Sequence, residues 1–365
     1  MKTNPSRAVA GEIRFVPHLE CVPCMLRQAR EAIAYSGVET EVGFEVLRRV
    51  LRLMSELDWT LPPPVLGQQV HRLIRQLTGN SDPYATLKER MNQQAAKLYS
   101  MWHTIFRQAH SPLDAAVRLA IVGNLLDVGA KTQLDAASVR AAFEGALSAP
   151  LRGSIDEFDA AIRSARSILY LADNAGEIVF DRDLLAQLPL GQFVVAVRGS
   201  PVLNDATVAD AEQAGLPDYC SVISNGSDAP GTLLEDCSPA FREQFAAADL
   251  IIAKGQGNYE SLAGTDKHIF FLLKIKCEVL SQDLRWPLGS LVLHHQRPAS
   301  FGKSVLSAEP HPTIAAGGSS PGARTAMTAR TCVEQLADKA VRAPGNSGIV
   351  TPTREAGSLS SSSKP

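Results

Sequence analysis

Three apolar runs in this chain end in residues that could do chemistry together. Ile168-Leu-Tyr-Leu-Ala runs into Asp173, Asn174 and Glu177. Val194-Val-Ala-Val runs into Arg198, Asn204 and Asp205. In an open α/β sheet, ligands bind outside the carboxyl ends of the strands. Carboxylates and an amide at such ends suit a hard divalent cation such as magnesium or manganese. No His lies near either cluster, which counts against a zinc site built on imidazoles. The third run, Ala248-Asp-Leu-Ile-Ile-Ala, ends in Lys254, Gly255, Gly257 and Asn258. Glycine lets a backbone approach a ligand closely, and Lys is a compact charge suited to phosphate. The three ends together point to phosphate-ester chemistry.

Each residue also has a plainer use. Asp173 and Asn174 could cap the helix that starts near Glu177, and Glu177 could serve that helix's dipole. Asp205 could be an N-cap and Lys254 a solvated loop lysine. Asn124 and Asp127 close the apolar Leu119-Ala-Ile-Val-Gly stretch, where helix-end hydrogen bonding would explain them. Asp82-Pro-Tyr84 reads as a turn and helix start, with Pro83 at the first helical position. Phe180-Asp-Arg-Asp-Leu-Leu185 superficially resembles the Asp-x-Asp signature of haloacid-dehalogenase phosphatases. That signature needs its first Asp at a strand's end, and here the strand has already ended at Asp173. Asp181 and Asp183 therefore read as a solvated helix face. Cys21-Val-Pro-Cys24 is half a zinc site or a redox pair. His18 could add a ligand, but Cys220, Cys237 and Cys277 are scattered, and plain reduced thiols are the expectation. A Gly-x-Gly-x-x-Gly turn and a Walker phosphate loop are both absent, so dinucleotide and ATP-hydrolysis readings are weak.

Taken in order, Asp-Asn-Ala-Gly-Glu from 173, Arg-Gly-x-Pro-Val-Leu-Asn-Asp-Ala-Thr from 198 and Lys-Gly-Gln-Gly-Asn-Tyr-Glu from 254 resemble the DUF89 family of damage-control phosphatases. Cys21-Val-Pro-Cys24 with Gln28, Asp82-Pro-Tyr84 and Gly123-Asn-Leu-Leu-Asp127 extend the resemblance, which looks nearest to the microbial branch with an N-terminal Cys-x-x-Cys. The resemblance implies that Asp173, Asn174 and Asp205 are metal ligands and that Glu177 contacts substrate. It implies a phosphate contact for Lys276, with Lys274 as the competing candidate. It places Asn124 and Asp127 along the active-site cleft as a specificity wall. Lys254, Gly257 and Asn258 form the expected ligand-facing turn. The implied function is metal-dependent hydrolysis of phosphate monoesters of small metabolites, either sugar phosphates or damaged phospho-metabolites. Manganese, cobalt, nickel or magnesium would be the ion. The alternative is a non-catalytic, metal-dependent binding protein for sugar phosphates or nucleotides.

The elements that must position these residues are legible in outline. Net charge is −2, which gives no electrostatic case for nucleic acid. No apolar run approaches the ~20 residues of a membrane span, and Met1-Lys-Thr-Asn-Pro-Ser lacks a signal-peptide core. The cytoplasm is the expected location, with a small phosphorylated metabolite as partner. Nothing in the sequence specifies an oligomeric state. Residues 1–11 read as a disordered N-terminus and 12–150 as a helical region. Residues 151–298 read as a Rossmann-like, mainly parallel α/β phosphatase domain, and 299–365 as a low-complexity tail. Helices are expected near 66–76, 84–106 and 113–126, with Pro62-Pro-Pro64 interrupting the pattern. Buried parallel strands are expected at 167–172, 193–197, 220–224 and 249–253.

Overall fold

A computed structural model describes residues 15–123 and 136–298. Asn124, Asp127 and the two terminal segments lie outside the described residues.

The fold is α/β, with amino-terminal helices preceding a seven-stranded sheet. The strands are β1 (Leu151–Arg152), β2 (Ile168–Leu171), β3 (Phe193–Val197), β4 (Ser221–Ser224), β5 (Leu250–Lys254), β6 (Ile269–Lys274) and β7 (Leu291–Gln296). Their order across the sheet is β1-β7-β6-β5-β2-β3-β4. All pairings are parallel except β6 with β7. The chain runs outward from β2 through β3 to β4, then returns to lay β5 on the other side of β2. That reversal makes the carboxyl ends of β3, β2 and β5 a topological switch point, where this class of sheet opens a crevice.

β2 and β5 are buried along their whole length, as their unbroken apolar sequences require of central parallel strands. β4 differs from the sequence expectation. It lies at the sheet edge and none of its residues is buried. The prolines also act differently: helix Pro63–Thr78 begins on Pro63 and Pro64 rather than resuming after them. The first turn of a helix needs no intrahelical N–H, so proline fits there. Pro83 instead precedes helix Ala85–Arg107, and Asp82 Oδ1 accepts the Tyr84 amide to form the turn before it. Helix Pro112–Val122 occupies the described part of its expected span, and positions 124–126 lie outside the described residues.

Helices cover both faces of the sheet. On one face Trp102, Phe143, Phe158, Phe180 and Tyr170 share a core with the inward side chains of the strands. On the other, Phe241, Phe245, Tyr259 and Phe271 do the same. A third cluster, including Met25, Val50, Leu66, Val70 and Ile74, joins the first three helices, and Leu203 of the loop after β3 packs against it. Among the described residues no helix is long and apolar enough to cross a membrane.

Candidate active site

The loops after β2 and β3 are stitched together by their backbones. Ala206 N donates to Asp173 O at 2.8 Å and Ala175 N to Asn204 O at 2.9 Å, so Asn174 and Asp205 lie opposite one another. Leu203 adopts φ +47°, an uncommon conformation for a non-glycine residue, in the tight turn that allows this approach. Helix Ala85–Arg107 braces the first loop from outside: Asn92 Oδ1 accepts the Gly176 amide at 2.6 Å. From β5, Gly255 comes closest. A β-carbon built on it would stand 2.0 Å from Asp173 Oδ2, so only glycine leaves room for that carboxylate.

The charges are nearly all out of water. Asp173, Glu177, Asp181 and Asp205 are buried, as are Arg198 and Lys254. Lys254 Nζ donates to Glu177 Oε1 at 2.7 Å and to Asp181 Oδ1 at 2.6 Å. Burial alone would lower its pKa, but Asp181 and then Glu177 carry it above the ordinary ammonium value. Asp181 is pushed up to about 6 by burial, against Lys254 and with Glu177. Arg198 Nε donates to Asp205 Oδ2 at 2.6 Å. Burial raises the Asp205 carboxyl and Arg198 opposes the rise. Asp173 is held well above the carboxylate range by burial, then by Glu177 and Asp205.

This set fits a divalent cation. Four buried carboxylates stand against two buried cations, so the cleft lacks positive charge. Protein hydrogen bonds occupy Asp173 Oδ2, Asn174 Nδ2 and Asp205 Oδ2. Among the described residues they leave Asp173 Oδ1, Asn174 Oδ1 and Asp205 Oδ1 free. Carboxylate and amide oxygens are the ligands that hard cations take. No three His, Cys, Asp or Glu side chains among the described residues form a metal cage by themselves, and the Asn174 amide oxygen lies beside the two carboxylates. One donor of the buried Arg198 is also left over. Arg198 Nη1 bonds Thr232 Oγ1 and Asn258 Oδ1, but Nη2 is buried without a partner among the described residues. A buried donor left unmade costs roughly 1–3 kcal/mol, which an incoming phosphoryl oxygen would recover.

The structure thus brings Asp173, Asn174, Glu177, Asp205 and Lys254 together. Lys276 is exposed, and its charge acts on Asp173, whereas Lys274 ends β6. Two of the expected ligand-facing residues have other partners. The Asn258 amide accepts from Arg198 and Thr232 and donates to Ala172 O and Lys254 O, which uses its full capacity. Gly257 packs against the loop that follows β4, where a β-carbon would meet Pro230 O at 2.2 Å.

The solvated reading of Asp181 and Asp183 is overturned, because both are buried. Asp183 accepts from Trp102 Nε1 and Tyr99 OH and pairs with His103. Asp181 follows Glu177 by one helical turn, so the two carboxylates share the face that meets Lys254. That spacing was the available signal. Arg198 was visible at its strand end without an assigned role. Asn92 carries no local signal at all.

The damage-control phosphatase ARMT1-like domain profile matches residues 18–292. An uncharacterised protein, MJ0202, of Methanocaldococcus jannaschii is 34% identical over 292 residues, covering 75% of this chain and 93% of the relative. The damage-control phosphatase PH1575 of Pyrococcus horikoshii is 32% identical over 280 residues, covering 75% and 96%. A damage-control phosphatase of Archaeoglobus fulgidus is 33% identical over 280 residues, covering 74% and 96%. The crystal structure of the Pyrococcus horikoshii DUF89-family protein matches with a TM-score of 0.71 at 30% identity, over 76% of this chain and 98% of that one.

Proposed function

The chain belongs to the ARMT1-like damage-control phosphatase family, and from that premise we propose that it is a metal-dependent phosphatase acting on phosphate monoesters of small metabolites. The observation that carries the reading is that, among the described residues, three acidic or amide oxygens at the ends of β2 and β3 and the buried Arg198 Nη2 beside them have no protein partner.

Asp173, Asn174 and Asp205 would hold manganese, cobalt, nickel or magnesium through their Oδ1 atoms. A bound ion supplies Lewis-acid polarisation of a phosphoryl oxygen and an acidified water. The rest belongs to the chain. Glu177 Oε2 accepts from Asn174 Nδ2 at 3.1 Å, which leaves the amide oxygen as the atom available to a ligand. Lys254 fixes Glu177 and so acts on the site at one remove, as a positioning residue. Arg198 Nη2 and the exposed Lys276 are the cationic groups available to phosphoryl oxygens. Phosphoryl transfer depends mostly on such placement and charge, and substrate discrimination falls to Asn124 and Asp127.

The test is phosphate release from a panel of sugar phosphates and other phosphorylated metabolites, with each of the four metals. Activity should vanish on chelation, return with metal, and be lost in Asp173→Asn and Asp205→Asn at an unchanged circular-dichroism spectrum. Full activity after exhaustive chelation, or in either variant, overturns the reading.

A further inference from the structure

The loops that carry Asn174 and Asp205 share one anchor outside the cleft. Lys88 and Asn92 lie one turn apart on the buried face of helix Ala85–Arg107. Asn92 Nδ2 donates to Asp210 Oδ1 at 2.9 Å and to Gln213 Oε1 at 2.7 Å, both in helix Val208–Gln213. Oδ1 of the same side chain accepts the Gly176 amide at 2.6 Å. Asp210 Oδ2 accepts from Thr207 N at 2.9 Å and Thr207 Oγ1 at 2.7 Å, which closes a capping box directly after the Asp205 turn. Lys88 Nζ lies 3.4 Å from that same oxygen and 2.9 Å from Asp82 Oδ2, so the Asp82-Pro-Tyr84 turn is tied into the network. Lys88, Asn92 and Asp210 are each more than nine-tenths buried. Gly176 stands between Asn174 and Glu177 with φ +74°, and a β-carbon on it would lie 3.0 Å from Met91 Cβ. Among the described residues no backbone acceptor takes its amide, so Asn92 is what holds this pivot.

We propose that Asn92 is a positioning residue of the cleft, fixing the pose of Asn174 and Glu177 relative to Asp205 by joining the loop after β2 to the helix that follows the loop after β3. The proposal rests on the reading of the cleft as a metal-dependent phosphatase site. The backbone bonds between the loops act at Asp173 and Ala175, before the pivot, and Asn92 acts at the pivot itself. The position calls for an amide. It must accept from Gly176 and donate to Asp210 at once, and a carboxylate only accepts. Asn92 touches neither of the proposed ligand oxygens, so its effect reaches the cleft through Gly176 and Asp210. Groups that orient metal ligands from behind in this way typically change metal affinity or activity by about 10–100-fold when removed.

Asn92→Leu keeps the bulk of the side chain and removes both links. Its folded protein should bind manganese roughly tenfold or more weakly and turn over roughly tenfold or more slowly at saturating metal. KM for the phosphate ester should stay near the wild-type value, because Arg198 and Lys276 are untouched. A merely structural role would lower the melting temperature and leave metal affinity and kcat where they were. Asn92→Asp keeps the Gly176 bond but sets two carboxylates against each other, and it should also be impaired. Adding Asp210→Asn exchanges amide and carboxylate across the same contact, with net charge kept, and should recover most of the loss. Amide hydrogen exchange on the metal-free wild type needs no variant to fold, and the Gly176 amide should exchange slowly there. Wild-type metal affinity and kcat in Asn92→Leu, no recovery in the exchanged pair, or a Gly176 amide that exchanges as fast as an exposed loop overturns the clamp alone. A wild type that binds no manganese and releases no phosphate overturns the phosphatase reading, and the clamp's role with it.

Discussion

Gly255→Ala tests the site through its tightest contact. Gly255 opens its helix at φ +81°, and a β-carbon there would stand 2.0 Å from Asp173 Oδ2 and 2.3 Å from its Cγ. Left-handed backbone costs a β-carbon-bearing residue roughly 1–2 kcal/mol. Non-bonded heavy atoms rest at about 3.5–4 Å, so the carboxylate must retreat by more than ~1 Å. A misplacement of about 1 Å at a reacting centre costs on the order of 100-fold in rate. Turnover should therefore fall about 100-fold, or ~2.7 kcal/mol of barrier, while the melting temperature falls by only several degrees. Gly79→Ala is the control. Gly79 has φ +67° and nothing within 4 Å of its added β-carbon, so it carries similar strain without the clash. It should lose stability and keep its rate. The assay is phosphate release at saturating metal, beside a thermal melt of each variant. Wild-type turnover in Gly255→Ala at matched metal would refute the idea that Asp173 must stand where it does.

Lys254→Met should destabilise the fold by roughly 3–5 kcal/mol in a denaturant titration, because Glu177 and Asp181 would be left buried without their counter-ion. Adding Asp181→Leu should recover part of that loss, and a near-neutral single variant would show that the triad carries little. Arg198→Lys keeps the charge but cannot serve Asp205, Thr232, Asn258 and a phosphoryl oxygen at once. Its turnover should drop about tenfold or more across the whole substrate panel, and an unchanged rate would remove Arg198 from the site. His71 is fully buried, and burial, then Arg75, push its pKa down from 6.5 to about 4. A histidine with a depressed folded pKa supports the fold above its unfolded value and loses that support as pH falls. Stability should thus decline by roughly 3 kcal/mol between pH 6.5 and 4. His71→Gln should flatten the decline in melting temperature across that window, and an equally steep decline in the variant would refute the assignment.

What the sequence disclosed follows from which interactions are local. β2, β3 and β5 were legible because a strand buried on both faces is written as an unbroken apolar run, and the polar residues closing those runs mark the crevice. β4 misled because its apolar residues sit at an edge, where Val222 and Ile223 are only half-buried. Asp181 misled for the opposite reason. Charge on a helix normally marks the solvent side, but helix Glu177–Leu185 is wedged between the sheet and the helices Ala85–Arg107 and Pro112–Val122.

Lys254 shows what the third dimension changes. Read locally, a lysine beside two glycines at a strand end is a phosphate ligand. In the fold its ammonium lies beneath the site, held by Glu177 and Asp181. Without Lys254 the cleft would carry four buried carboxylates and the single guanidinium of Arg198. A cleft that negative would repel the substrate proposed for it. With Lys254 the remaining deficit matches one dication, and a phosphate ester then enters a nearly neutral site whose free groups, Arg198 Nη2 and Lys276, are cationic. The lysine's contribution to phosphate binding is therefore to the field and to the pose of Asn174, which is why its loss should register first as instability and Arg198's loss first as rate.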